Sequence, residues 1–314
     1  MTSSDSDRQA YLEELWSSSD PSRVILFYSK ISGPGEIAKF SLGRPSERLK
    51  IFHTGRKDAP VQFVIPTMNH ENDFCRSLIE NYSGSGLVFV ESSGPYFNYA
   101  RSVNAGIRYA LNESNPETVV ISNDDVVVLS SGEDLLRLSR MHGDSAVLCL
   151  NSDINGYSGE AFRVFRAGIP VIIKEGIDLK LKNYRTASVL VRLLAARKIA
   201  YSVSLIGRFL AGRALSKVSR PITPKLTNFA DFGIFPAKVV EKFQFDEAFI
   251  NGWEDWDMVY RLSRSGIRVE RADLQYRRTG HASFAQITTM EMEYVRSYLN
   301  RVYFSYRWDR LNSV

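Results

Sequence analysis

Residues 61–90 have the sequence VQFVIPTMNHENDFCRSLIENYSGSGLVFV, and this stretch decides the fold class. Its two ends, Val61–Pro66 and Leu87–Val90, are short apolar runs that predict buried strands. The segment His70–Tyr82 between them has the pattern of a helix. Two strands joined through a helix over short connections indicate a βαβ unit, in which the strands are parallel. The stretch therefore predicts an α/β fold.

The same alternation continues as far as residue 150. We expect a helix at Phe97–Leu111, a strand at Thr118–Ser122, a helix at Leu135–Met141 and a strand at Ala146–Leu150. Together these elements predict a Rossmann-like, mixed or mostly parallel central sheet flanked by helices, in a domain over residues 61–314. Residues 1–60 are predicted to form an N-terminal arm or appendage.

Bulk composition is that of a soluble globular protein. Of the 314 residues, 44% are apolar and 24% charged, and no run of about 18 uncharged apolar residues is present. The start is polar and acidic, unlike a signal peptide. Cys75 and Cys149 lie far apart in apolar stretches, which is typical of reduced core residues. We therefore expect a cytoplasmic protein, and the net charge of +5 selects no class of ligand.

A basic segment interrupts the alternation. Residues 179–230 contain eleven Lys or Arg and no Asp or Glu, interleaved with apolar residues. The pattern predicts a helical insertion at 179–228, before a last helix at 285–308. The insertion is either a solvated helical pair or a surface that docks peripherally on the inner face of an anionic membrane. Its apolar positions would alternatively serve a homodimer. Nucleic acid is disfavoured, because no aromatic platform accompanies the charges.

The run TVVISNDDVVV, residues 118–128, places Asp124 and Asp125 where a strand leaves the sheet. In parallel sheets, ligands bind beyond the carboxyl ends of the strands. Carboxylates there suit a hard divalent cation. Such a cation can neutralise the negative charge on the diphosphate that leaves when a sugar-nucleotide donor is cleaved. The alternative is an ordinary Asn/Asp turn at a strand end.

A second acidic cluster stands in FINGWEDWDMVYRLSRSGIRV, residues 249–269, which predicts a turn, a helix from about Glu254 to Ser265, and a strand. Acidic residues also decorate helix starts for electrostatic reasons alone. Asp257 lies four residues before Arg261, so an ion pair explains it. Position 259, four residues after Asp255, is a valine. Asp255 is therefore the candidate general base.

Five segments in order match a known family: FVIPTMNHENDF, NYARSVNAGI, ISNDDV, FDEAFINGWEDWDMVYRLSRSGIRV and NRVYFSYRW. Over roughly Val61–Trp308 the chain resembles the inverting family 2 glycosyltransferases, including rhamnosyltransferase-like members. The resemblance implies a GT-A fold and a hexosyltransferase type of activity in glycan biosynthesis. It also implies bound Mn²⁺ or Mg²⁺, a nucleotide-sugar donor and a glycan or lipid-linked saccharide acceptor.

The resemblance also implies roles for individual residues. Asp255 would be the catalytic base, Trp253 and Glu254 would shape the acceptor pocket, and Asp125 and His281 would lie at the metal. The residues implied in donor binding are Pro66, Thr67, Asn69, Glu91, Asn98, Arg101 and Asp124. Two positions depart from the family pattern: Asn123 replaces the first acid of the metal motif, and Glu91 replaces an aspartate.

Two other functions remain open. A nucleotidyltransferase would need a glycine-rich and basic loop after the first strand, and TMNHENDF has neither glycine nor Lys or Arg. A catalytically inactive sugar-nucleotide-binding or membrane-associated scaffold protein is compatible with Asn123. The intact Trp253–Asp255 segment favours an enzyme.

Overall fold

The computed structural model describes residues 3–18, 34–150 and 231–278, together with the isolated positions 23, 26, 27, 30, 31, 229, 300, 303, 304 and 307. The predicted insertion at 179–228, nearly all of the predicted helix at 285–308, and His281 lie outside these residues. The chain divides into two compact units. One comprises Met1–Arg44, Tyr157–Lys225 and Thr288–Val314, and the other comprises Pro45–Gly156 and Leu226–Ile287.

In the described part of the first unit, two helices enclose a small aromatic core. They are α1 (Ser3–Ser17) and α2 (Pro34–Gly43). The Trp16 ring packs on Phe27 and Phe40, with centroids 5.2 and 5.9 Å away. Arg44 and Glu13 form a buried ion pair beside these rings, with Nε 2.8 Å from Oε2.

The second unit is built on a seven-stranded sheet. The strands are β1 (Lys50–Gly55), β2 (Val61–Thr67), β3 (Gly86–Glu91), β4 (Thr118–Ser122), β6 (Ala146–Leu150), β7 (Phe232–Pro236) and β8 (Arg268–Ala272). Their order across the sheet is β1-β3-β2-β4-β7-β6-β8. A separate two-stranded sheet joins β5 (Val126–Val128) to β9 (Tyr276–Arg278).

Strand directions confirm the predicted α/β class with a mixed, mostly parallel sheet. β2, β3 and β4 are parallel, as are β6 and β8. β7 is antiparallel to both β4 and β6, and β1 is antiparallel to β3. Five of the seven strands consequently point the same way, so their carboxyl ends share one edge.

Strand β1 belongs to the sheet, although the sequence pattern placed it within the appendage at 1–60. It is an edge strand with much of its length open to solvent. Because it is not buried on both faces, KIFHTG lacks the continuous apolar run that marks β2 and β3.

Helices cover both faces of the sheet. They are α3 (Asp73–Asn81), α4 (Tyr99–Ser114), α5 (Gly132–His142), α6 (Ala237–Lys242) and α7 (Glu254–Arg264). Helices α3 and α5 pack on the face bearing Phe63 and Phe89, and α4, α6 and α7 on the face bearing Val64 and Val88. Helix α4 approaches closely because position 106 is glycine, where an added Cβ would lie 2.4 Å from Val64 Cγ1.

The two cysteines are buried and reduced, as predicted. None of the helices in the described part of the chain combines the length and apolar composition that a membrane span requires.

Candidate active site

The carboxyl edge of the sheet gathers several of the predicted residues. Thr67 and Glu91 are register partners at the ends of β2 and β3. The buried Thr67 hydroxyl donates to Asp124 Oδ2 over 2.8 Å and also lies 3.2 Å from the Asn69 carbonyl. Thr67 therefore holds Asp124 in place. Pro66 lies buried within β2, and the Asn69 side chain closes a local turn by accepting from Glu71 N at 2.9 Å.

Glu91 is held by His70 and Lys50. Its Oε2 lies 2.8 Å from His70 Nδ1, and its Oε1 lies 3.4 Å from Lys50 Nζ. The hydrogen bond from His70 is the main cause that lowers the pKa of Glu91, so this carboxyl is charged at neutral pH. The His70 ring also stacks on Phe52, with centroids 3.6 Å apart. Sequence reasoning missed His70, whose only signal was its place in the loop after β2.

Asn98 and Arg101 tie α4 to the segment before the second acidic cluster. The Asn98 side chain caps α4 by accepting from Arg101 N, and its amide donates to the carbonyls of Glu247 and Phe249 at 2.9 and 3.3 Å. Arg101 Nε donates to Glu247 Oε2 at 3.3 Å. Both residues thus have structural partners near the site, and their predicted contact with a donor stays a prediction.

The loop after β4 carries the first acidic cluster, and Asp231 joins it. Asn123 bonds Asp231 twice, through its backbone N at 2.9 Å and its side-chain amide at 3.2 Å. Asp231 also forms an ion pair with Arg278. Burial chiefly raises the pKa of Asp125, and the carboxylates of Asp124 and Asp231 raise it further while Arg278 opposes them. Sequence reasoning missed Asp231, because 108 residues separate it from Asn123.

The second acidic cluster follows an unusual turn. Asn251, Gly252 and Trp253 have φ of 52°, 154° and 72°, so three successive residues have positive φ. Such conformations cost free energy and persist where surrounding contacts enforce them. Here Asn251 supplies those contacts, since its Oδ1 accepts from Tyr99 N at 2.8 Å and its Nδ2 donates to the Phe97 carbonyl at 3.1 Å.

Within this cluster the three acids have different surroundings. Glu254 is buried, and its Oε2 accepts from Gly252 N at 2.6 Å. Burial, followed by the charge of Asp255, raises the pKa of Glu254 to about 8. Asp255 Oδ1 accepts from Trp256 N at 2.9 Å. Asp257 is fully buried and pairs with Arg261 at 2.8 Å, which confirms its predicted structural role.

Both clusters meet around Tyr99. Its hydroxyl donates to Asn123 Oδ1 at 3.3 Å, and its half-buried ring packs against the core beneath α4. Burial raises the pKa of the Tyr99 phenol well above its usual value, and the carboxylates of Glu254, Asp231, Asp255 and Asp124 raise it further. Carboxylates from two distant stretches of sequence therefore act on a single side chain.

The chemistry of this donor set fits a hard divalent cation. Oxygen ligands are the ones that Mg²⁺ and Mn²⁺ prefer, and burial, followed by the carboxylates of Asp124 and Asp231, raises the pKa of Asp125. Among the described residues, no three His, Cys, Asp or Glu side chains are grouped as a complete metal site. Asp124 and Asp125 are the residues here that could contribute oxygen ligands to a cation.

Comparisons with known proteins add no family to this description. No protein-family model matches the chain, and no curated protein matches it significantly.

The raised pKa of Glu254 predicts a pH-dependent stability. Its folded pKa of about 8 lies above the ordinary value of 4.5, so its stabilising contribution is complete below pH 4.5 and is lost as pH rises through 8. Glu254→Gln removes this titration while keeping an acceptor for Gly252 N. As pH rises from 5 to 9, we expect the unfolding midpoint of the variant to rise relative to that of the wild type. A constant difference over this range would contradict a buried, proton-binding Glu254.

Proposed function

We propose that the protein is a metal-assisted, inverting glycosyltransferase that moves a sugar from a nucleotide-sugar donor to a hydroxyl of a glycan or lipid-linked saccharide. The observation that supports this most is that both acidic segments meet at Tyr99, whose hydroxyl bonds Asn123 beside Asp124 and whose backbone N bonds Asn251 before Glu254 and Asp255. The reaction needs a cation that neutralises charge on the diphosphate and a base that removes a proton from the acceptor. The cluster with Asp124 suits the first task, and the cluster with Glu254 and Asp255 suits the second. The proposed fold is of the GT-A type.

In the proposed reaction Asp255 removes the proton from the acceptor hydroxyl. The hydroxyl oxygen forms a bond to the anomeric carbon from the side opposite the diphosphate. The bond from that carbon to the phosphate oxygen breaks, and its electron pair leaves with the nucleoside diphosphate, so the configuration inverts. Asp125, with Asp124 beside it, would hold Mn²⁺ or Mg²⁺, which supplies neutralisation of charge on the leaving diphosphate.

The neighbouring acids support the choice of Asp255 as base. Glu254 retains a proton at neutral pH because it is buried beside Asp255. Asp255 stands in the first turn of α7, where the helix dipole favours an anion. Two adjacent carboxyl groups with separated pKa values can hold one proton and one charge between them. The charged member is then able to accept the proton of a substrate.

On the donor side, Thr67 fixes Asp124 and Glu91 offers a charged carboxylate at the same edge of the sheet. Trp253, in its left-handed conformation, precedes the base and would border the acceptor. A lipid-linked acceptor would bring the enzyme to the membrane surface.

A panel of nucleotide sugars tests the proposal. The full-length protein is incubated with each donor and Mn²⁺ or Mg²⁺, with and without EDTA, and release of nucleoside diphosphate is measured before acceptors are screened. We expect metal-dependent release of nucleoside diphosphate from one class of donor, followed by a glycoside of inverted configuration. Donor binding without turnover would indicate a sugar-nucleotide-binding protein. Release of pyrophosphate from a nucleoside triphosphate and a sugar phosphate would indicate a nucleotidyltransferase.

A further inference from the structure

Asn123 stands at the position where the resemblance leads one to expect an acid, and both ends of its amide are used. Its Nδ2 donates to Asp231 Oδ1 at 3.2 Å, and its Oδ1 accepts from the Tyr99 hydroxyl at 3.3 Å. A carboxylate only accepts hydrogen bonds, so the amide nitrogen must face Asp231 and the amide oxygen must face Tyr99. An aspartate at position 123 could keep the second bond but not the first.

The loop that begins at Asn123 is anchored on the same partners. Its backbone N donates to the Asp231 carbonyl at 2.9 Å. Asp231 pairs with Arg278, and Arg278 lies opposite Val126 in the β5–β9 ladder. Asp231 therefore bonds the loop at its start and, through Arg278, at its exit.

We infer that Asn123 is a positioning residue whose amide bridges the Tyr99 hydroxyl and the Asp231 carboxylate, and so fixes the loop that carries Asp124 and Asp125. The role of that loop in holding a cation rests on the proposed function, whereas the bridge itself does not. The bridge therefore requires an amide at position 123, and Asn123 is not a weakened form of a metal-binding acid.

An acid at this position meets unfavourable charge. Asn123→Asp would set a carboxylate about 3 Å from Asp231 Oδ1, and like charges at that distance repel each other in this half-buried site. The other titratable groups around the site are Asp124, Asp125, Glu254, Asp255 and Arg278. Only Arg278 among them is a cation, and it already pairs with Asp231.

A three-variant comparison in EDTA tests the bridge without any metal or substrate. Asn123→Asp should lower the unfolding midpoint by about 3 °C or more. Asp231→Asn should lower it too, because Arg278 and Asn123 lose a charged acceptor. The double variant Asn123→Asp/Asp231→Asn exchanges the two groups and restores one carboxylate facing one amide, so at least half of the summed loss should return. Asn112→Asp, the same change at an exposed position of α4, should leave the midpoint unchanged.

An unchanged midpoint in Asn123→Asp, or losses that simply add in the double variant, would overturn the inference. In a protein with confirmed transfer, Asn123→Asp should lower kcat by about 100-fold through displacement of the loop, with the exchanged pair regaining most of it. Its donor KM should rise together with that loss, because the displaced loop carries the carboxylates assigned to the diphosphate. Wild-type kcat in Asn123→Asp would also refute the bridge and leave the proposed function standing. Absence of any transfer would refute that function, while the EDTA comparison would still decide the bridge.

Discussion

Asp255→Asn should lower the rate of sugar transfer by about 10³-fold and leave donor affinity unchanged. General-base catalysis contributes roughly 10² to 10⁴ to a rate, and the amide cannot accept the acceptor proton. Donor binding should survive because Asp255 lies in the cluster assigned to the acceptor, not in the one assigned to the diphosphate. The measurements are kcat with the identified donor and acceptor, and the donor Kd by calorimetry.

Asp257, two residues further along α7, supplies the matched control. It is fully buried and bonded to Arg261 Nε at 2.8 Å, so Asp257→Asn removes a charge that pairs a partly buried cation. We expect a loss of about 3 kcal/mol in unfolding free energy, with near-normal kcat for the folded fraction. If instead Asp255→Asn stays active and Asp257→Asn loses transfer without losing stability, the assignment of the base is wrong.

Asp125→Asn should stabilise the protein and at the same time abolish its response to metal. Burial and the carboxylates of Asp124 and Asp231 raise the pKa of Asp125, so its ionised form is disfavoured in the folded state. Removing the charge should raise the unfolding midpoint in EDTA by about 2 °C. The same variant should lose about 100-fold in metal-stimulated transfer, since a cation ligand and its charge are gone.

The appropriate comparison is an aspartate whose pKa is shifted the other way. Asp134 belongs to the capping box of α5, where the hydrogen bond from the Ser131 hydroxyl is the main cause that lowers its pKa. Asp134→Asn should therefore lower the unfolding midpoint and leave metal-stimulated transfer intact. A lower midpoint for Asp125→Asn in EDTA would contradict the crowding of charge at the loop.

Much of the sheet could be predicted from sequence because strands buried on both faces have continuous apolar runs. Val61–Thr67 and Gly86–Glu91 are of this kind, and the structure places both next to each other. β1 has no such run, since an edge strand exposes polar side chains. Boundaries were less predictable: the helix expected over His70–Tyr82 begins at Asp73, where the Asn72 side chain caps it.

The residues of the site differ in the same way, since local sequence patterns reveal some of them and not others. Asp124, Asp125 and Asp255 stand at strand or helix ends, which local patterns reveal. Tyr99 and Asp231 act through contacts with distant segments, which no local pattern encodes. Asn98 shows the converse limit: its amide bonds the carbonyls of Glu247 and Phe249, two contacts that its motif position did not indicate. A motif fixes the neighbourhood of a side chain without fixing its partner.

The reversed direction of β7 has an evolutionary consequence. A strand that runs against its neighbours brings its beginning to the edge where they end, so Asp231, just before Phe232, lies beside the residue that follows β4. Two positions 108 apart in the chain thereby share one side-chain hydrogen bond and one unit of charge. If the inferred bridge is correct, neither residue can change its chemical type alone without loss, and descendants of this chain should inherit changes at 123 and 231 as pairs.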